Sequence, residues 1–168
     1  MITNKSKSVK QISQDYYDEF IDNLNLNSLA CPNDGCGHHD FVRHGFYERT
    51  IKFMDYSIRL RILRVKCKVC GSTHAILLDC MVPYSQLSLN IQEIIIACDH
   101  IGDFEEYMDS NTDLDESNFY YVKNQYRKHW KQRLLSMGIS LADALVEQCF
   151  FCFSRQFMQI HCMHNILI

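Results

Sequence analysis

The apolar positions of this chain change period twice, and the changes divide it into three stretches. Near the N-terminus Tyr16, Tyr17, Phe20, Ile21 and Leu24 recur at helical spacing after the polar opening "MITNKSKSVK". Residues 1–30 therefore read as a polar tail followed by a short amphipathic helix. From Phe41 to Leu78 the residues favour strands. In "SIRLRIL", Ile58, Leu60 and Ile62 fall on one face and Arg59 and Arg61 on the other. The alternation slips at Leu63–Arg64, which predicts a bulge there.

"MVPYSQ", with Pro83, marks a boundary beyond which the period is helical. Asn90, with Glu93 three residues on, reads as the N-cap of a helix over Asn90–Cys98. Phe104–Met108 is a short second helix. Phe119–Leu135 is the strongest, with Phe119, Val122, Tyr126, Trp130 and Leu134 on one face and Gly138 as a stop. Residues from Ser140 to Ile168 read as two further helices apolar enough to pack on the rest. The expected fold class is α+β: a small β module at 31–85, then a helical region at 86–168.

Composition narrows the class. The chain has 168 residues, 47% hydrophobic and 22% charged, so wholesale disorder is not expected. Its longest apolar runs, "IIIAC" and "CFFCF", fall far short of a membrane span, and the first ten residues have no apolar core of a signal or anchor. Nine cysteines, an odd number, without an export signal point to a reducing, cytoplasmic compartment in which paired cysteines hold metal.

The net charge of -3 conceals segregation. Phe41 to Lys68 holds eight bases (Arg43, Arg49, Lys52, Arg59, Arg61, Arg64, Lys66, Lys68) against Glu48 and Asp55, a net of +6. Asp99 to Asn118 holds eight acids and no Lys or Arg, and Phe119 to Arg133 holds five bases and no acid. Local potential of this kind steers a polyanion whatever the mean charge. The plainer reading is internal pairing, with the acidic segment covering a basic one.

Two cysteine pairs carry the clearest chemistry. "CPNDGCG" places Cys31 and Cys36 around a turn, and "CKVCG" does the same for Cys67 and Cys70. Gly35, Gly37 and Gly71 sit where backbone amides must turn toward the sulfurs. Zinc takes four tetrahedral thiolate or imidazole ligands, and two such knuckles joined by a hairpin-forming segment can supply them. A closed four-thiolate site has no open position for water, so it serves folding and not catalysis. His38 or His39 could replace Cys36, although adjacent loop histidines are more often simply solvated. His44 and His74 read as packing or hydrogen-bonding residues. Cys149, Cys152, His161 and His164 invite a second metal site, but their segment reads as buried helix. Cys80, Cys98 and Cys162 read as small buried hydrophobes.

The stretches "CPNDGCG", "HGFYERTIKF", "IRLRILRVKCKVCGSTHAILL" and "MVPYSQ" together resemble the zinc-binding ribbon at the N-terminus of insertion-sequence transposases. Within that group they are similar to short bacterial proteins that carry the ribbon without the catalytic core. The resemblance covers Cys31 to about Gln86 and is only loose beyond it, toward a helix-turn-helix. It implies DNA binding near transposon ends or promoters, with Cys31, Cys36, Cys67 and Cys70 at the metal positions. The four-residue gap of the first knuckle departs from the commoner two. No carboxylate set is spaced to hold two catalytic metal ions, so no enzyme is expected.

The expectation is a zinc-ribbon protein that binds double-stranded DNA as a transposon-related accessory or transcriptional regulator. Lys123, Asn124, Arg127, Lys128 and Lys131 of the third helix would face the duplex, joined by Arg59 and Arg61 of the ribbon. Asn124 and Arg127 are the candidates for base edges. The rival is a zinc-stabilised protein–protein interaction module, with the helical tail as an oligomer or partner interface. A weaker third reading is a thiolate redox sensor.

Overall fold

The computed structural model describes residues 1–4, 6, 11–33, 35–110, 114–136 and 138. The two helices expected from Ser140 onward, with Cys149, Cys152, His161, Cys162 and His164, lie outside these residues. The fold class is α+β, as the sequence predicts: a four-stranded sheet and several helices. The elements are β1 (Ile2–Asn4), α1 (Gln14–Asp22), a 3-10 turn (Leu26–Ser28), β2 (Phe41–Lys52), β3 (Ser57–Cys67), β4 (Thr73–Leu78), α2 (Leu89–Ala97), α3 (Gly102–Ser110) and α4 (Glu116–Gln125). A π-helical turn (Tyr126–Trp130) carries α4 into α5 (Lys131–Ser136).

The sheet order is β1-β4-β3-β2, with β1 parallel to β4 and the other pairs antiparallel. The N-terminal residues are thus more than a polar tail. Ile2, Thr3 and Asn4 pair with Ile76, Leu77 and Leu78, the most completely buried strand of the sheet. A strand of three residues is too short for periodicity to reveal it.

The expected slip at Leu63–Arg64 has two causes. Across from Arg64 the register of β2 shifts between Arg43 and Phe46, so the extra residue belongs to the partner strand at His44–Gly45, where Gly45 has φ 92. On β3 itself the buried face changes. Leu60 and Ile62 are buried on one face, then Leu63, Val65 and Cys67 on the other. Ile62 and Leu63 are neighbours and both fully buried, so the sheet is covered on both sides at that point.

Helix α1 begins at Ser13, whose hydroxyl accepts from the Tyr16 amide at 3.1 Å. It replaces a missing strand. The β3–β4 pairing runs Lys66↔Thr73, Val65↔His74, Arg64↔Ala75, and the next pair in register would be Leu63 with Ile76. Instead the Tyr17 hydroxyl stands between them, accepting from the Leu63 amide at 3.0 Å and donating to the Ile76 carbonyl at 2.9 Å. One turn earlier, Gln14 Oε1 accepts from the Arg61 amide at 2.8 Å. Two side chains thereby satisfy the β3 edge where β4 leaves it.

Beyond the sheet a second apolar cluster gathers Leu87, Ile91, Ile95, Phe104, Leu114, Phe119 and Val122. The α2 N-cap is Ser88, not Asn90: its hydroxyl accepts from the Ile91 amide, and Asn90 is exposed. Asp115 and Asn118 form a reciprocal capping box on α4. Beyond α5, the last described helix, Gly138 has φ 69 and its amide donates to the Leu135 carbonyl. Trp130, expected on the buried face of that helix, has no described side chain. The sheet and the helices are joined at the far end of the β2–β3 hairpin. There the Lys52 amide donates to the Gln86 carbonyl at 2.7 Å, the Ser88 amide to the Lys52 carbonyl at 3.0 Å, and the Arg49 guanidinium to the carbonyls of Val82 and Ser85.

Tyr17→Phe keeps the ring and strands a buried amide and a carbonyl. It should cost about 1–3 kcal/mol in urea unfolding, whereas the exposed Tyr120→Phe should stay within about 0.5 kcal/mol. Equal midpoints for the two variants would refute the wedge role.

Candidate metal centre and basic helix face

Two loops reach the same end of the sheet. The first knuckle, Cys31 to Cys36, closes through the Cys36 amide to the Asn33 carbonyl at 3.0 Å and the Cys31 amide to the His38 carbonyl at 2.9 Å. The second, Cys67 to Cys70, continues β3, with the Gly71 amide on the Cys67 carbonyl and the Cys67 amide on the Ser72 carbonyl, both at 2.9 Å. Gly37 and Gly71, each directly after the second cysteine of its knuckle, adopt φ 63 and 73, the left-handed region that side chains resist. Lys68 ties the two loops together, its amide donating to the Asp40 carbonyl and its ammonium pairing with the Asp40 carboxylate, both at 2.9 Å.

The outcome is that the sulfurs of Cys31, Cys36, Cys67 and Cys70 all lie within 4.8 Å of one another. Cys31–Cys70 is 3.6 Å and Cys36–Cys67 is 3.7 Å. A disulfide needs about 2.05 Å, so these are not bonds. A tetrahedral ion at about 2.3 Å from each sulfur requires edges of roughly 3.8 Å, which these distances match. The four-residue gap of the first knuckle does not displace Cys36, and the exposed His38 and His39 are not part of the quartet.

Backbone amides already face the sulfurs two residues on from three of them: Asn33 toward Cys31, His38 toward Cys36, and Ser72 toward Cys70. Burial pushes the Cys31 thiol up to about 12, whereas the hydroxyl and amide of Ser72 pull Cys70 down to about 6. Cys70 is exposed and is shifted toward the thiolate, the form that takes up metal; Cys31 and Cys67 are buried. Four soft donors in a closed tetrahedron suit a structural metal ion and leave no position for substrate water. Cys80 and Cys98 stand apart, each half-buried with its thiol raised by burial.

Sequence periodicity missed one neighbour of this centre. His74, on β4, is buried, its Nε2 3.4 Å from the Cys31 sulfur and its ring edge-on to Phe41. The reading of His74 as a packing or hydrogen-bonding residue holds. Its partner could not be read, because the β3–β4 register decides it. His44 is exposed in the β2 bulge.

The residues expected to face DNA divide in two. Asn124, Arg127, Lys128 and Lys131 are exposed, and among the described residues no ion pair engages the three cations. Lys123 is a correction. Its ammonium donates to the carbonyls of Ile96, at 2.9 Å, and Cys98, capping the C-terminal end of α2, and lies 5.7 Å from the Phe119 ring. The spacing contained the signal: Lys123 is four residues after the buried Phe119 and flanks the core-facing side, not the outer one. Burial lowers its pKa. The two β3 arginines have local partners. Arg59 pairs with Glu48, and Arg61 sits 4.7 Å over the exposed Phe46 ring.

Among the described residues no acid from Asp99 to Asn118 forms an ion pair with Arg127, Lys128 or Lys131, whereas Asp99 and Asp103 lie near enough to Lys123 to favour its charged form. Asp103 accepts from the amides of Asp99 and His100 and pairs with His100, and Asp115 serves its own capping box. No helix among the described residues is long and apolar enough to cross a membrane.

Residues 31–113, just under half of the chain, match a protein family described as a domain of unknown function (DUF6431). The match spans both knuckles, the β2–β3–β4 sheet, α2 and α3. No curated protein and no solved structure matches the chain.

Cobalt(II) titrated into the reduced full chain should give the spectrum of a tetrahedral four-thiolate site at one ion per chain. Cys67→Ser should lose it; an unchanged spectrum would mean that the quartet is not the site. Separately, Lys123→Ala removes the cap from two carbonyls and should cost about 1–2 kcal/mol in thermal or urea unfolding. Lys128→Ala, at an exposed position, should cost no more than about 0.5 kcal/mol.

Proposed function

We propose that the chain is a non-catalytic, zinc-stabilised protein that binds double-stranded DNA, acting as a transposon-related accessory or transcriptional regulator. The observation that carries the reading is the outer face of the last helix. Asn124, Arg127, Lys128 and Lys131 are exposed there, while Asp103 and Asp115 before them are engaged within their own loop and cap. An internally neutralised basic helix would instead have supported the interaction module. In this reading α2 and α3 brace the helix that enters the major groove. Asn124 and Arg127 have the donor sets for adenine and guanine edges, and Lys128 and Lys131 meet phosphates.

The metal of this reading is zinc. It is redox-inert, accepts four thiolates without geometric strain, and contributes about 10–16 kcal/mol of apparent binding free energy to small modules. Its work is to hold the two knuckles on the sheet. The four cysteines supply all of its ligands, and none of the DNA-facing residues belongs to that set.

Fluorescence anisotropy with random-sequence duplex across a salt series tests the DNA reading. Wild type should bind at low salt and weaken steeply as salt rises. Lys131→Ala should flatten the logarithmic slope by about one, and Arg127→Ala should cost about 1–3 kcal/mol and relax sequence preference. Lys123→Ala should leave the slope unchanged. Wild type that binds no duplex even at low salt would sink the reading and favour a protein partner.

A further inference from the structure

We propose that His74 is an outer-shell positioning residue of the metal centre, donating its Nε2–H to the Cys31 thiolate when the site is loaded. The inference rests on the four-cysteine metal reading and extends it to a residue that is not a ligand. His74 Nε2 lies 3.4 Å from the Cys31 sulfur, within reach of an N–H···S hydrogen bond, yet it is outside the set of atoms that lie within 4.8 Å of one another. It therefore touches one corner of the tetrahedron and leaves its centre to the four sulfurs.

Three features hold the imidazole there. The His74 backbone is fixed in register opposite Val65. Its ring meets the Phe41 ring edge-on, with centroids 6.0 Å apart and planes at 83°. Both His74, at 7% exposure, and Cys31, at 4%, are shut off from water, so solvent cannot supply the donor in its place.

The chemistry explains why a donor belongs at this corner. Four thiolates around a divalent cation leave a net charge of about minus two on the sulfurs, and a buried share of that charge needs N–H groups to disperse it. Cys70 and Cys36 face solvent at least in part, and each also receives an amide N–H of its own knuckle. Cys31 is buried and has the Asn33 amide. His74 adds the second donor there. It also locks the Cys31 side chain to β4, so the first knuckle is anchored to the sheet and not only to the ion.

The test uses the full reduced chain loaded with cobalt(II), comparing wild type with His74→Phe, which fills the space without a donor, and His74→Gln, which keeps an N–H. Losing the hydrogen bond raises the energy of the sulfur lone pair. The sulfur-to-cobalt charge-transfer band of His74→Phe should therefore move to longer wavelength, and metal affinity should fall about 10-fold or more. His74→Gln should recover part of both. Nitrogen-15 shifts of the zinc-loaded wild type, which need no variant to fold, should show His74 protonated on Nε2. An unprotonated Nε2, or a His74→Phe band and affinity equal to wild type, overturns the proposal alone. If wild type gives no four-thiolate cobalt spectrum, the metal reading falls and this proposal with it.

Discussion

Four sulfur atoms within 4.8 Å of one another are not a stable arrangement by themselves. As thiolates, neighbours about 4 Å apart repel by about 4 kcal/mol per pair at the effective dielectric of a protein surface. As thiols they lose that repulsion but gain almost nothing, because S–H is a weak donor and sulfur a weak acceptor. A cation at the centre reverses the sign of the dominant energy. Among its described residues, the stretch from Asn23 to Asp40 contains only one 3-10 turn of regular structure. Its path is set by Leu29 and Cys31 in the core, by the Lys68–Asp40 tie and by the sulfurs themselves. A short sheet beside an irregular loop buries little to order that loop by apolar contact alone, so an ion held by the four sulfurs would stabilise the sheet and be held in place by it.

What could be read from the sequence followed from how local each signal is. The knuckles were legible because glycine, proline and cysteine concentrate there at short spacing. The helices were legible because an apolar face repeats over several turns; α2, α3 and the long last helix lie within a few residues of their expected places. The slip in β3 was visible as a broken alternation, but its cause was not. A bulge on one strand and a change of buried face on its neighbour leave similar marks in a single sequence, and only the pairing of Arg64 opposite His44–Gly45 tells them apart. β1 and the contacts of Tyr17 and His74 were illegible for the same reason. Each depends on register between segments dozens of residues apart.

Charge taught a different lesson. The segregation of acids and bases along the chain is real, but counting charges does not say which are available. Lys123 belongs to the basic run and is occupied at the end of α2; Arg49 belongs to the positive excess of the β2–β3 hairpin and holds the turn around Pro83. Both ammonium and guanidinium groups close orphan carbonyls where a chain changes direction, a structural use that composition cannot separate from ligand binding. The acids behave likewise, with Asp103 and Asp115 engaged by backbone amides. Among the described bases, Arg64, Lys66, Arg127, Lys128 and Lys131 have no ion pair, so the unengaged charge lies on β3 as well as on the helix.

The hairpin also sets a distance. Cys67 pairs with Phe41 at one end of β2, and Lys52 holds the helical cluster at the other. At about 3.3 Å per residue the intervening strand spans roughly 35 Å. Among the described residues no side chain bridges that gap, so the four sulfurs and the helical cluster share no direct contact. Any influence of one on the other must travel through strand register, from the knuckles along β2 and β3 to the backbone bonds between Lys52, Gln86 and Ser88. The bulge at His44–Gly45 lies near the metal end of that path, and from Phe46 to Lys52 the pairing is unbroken. The helical cluster therefore rests on the regular part of the hairpin, and the irregular part is confined to the end that the four sulfurs close.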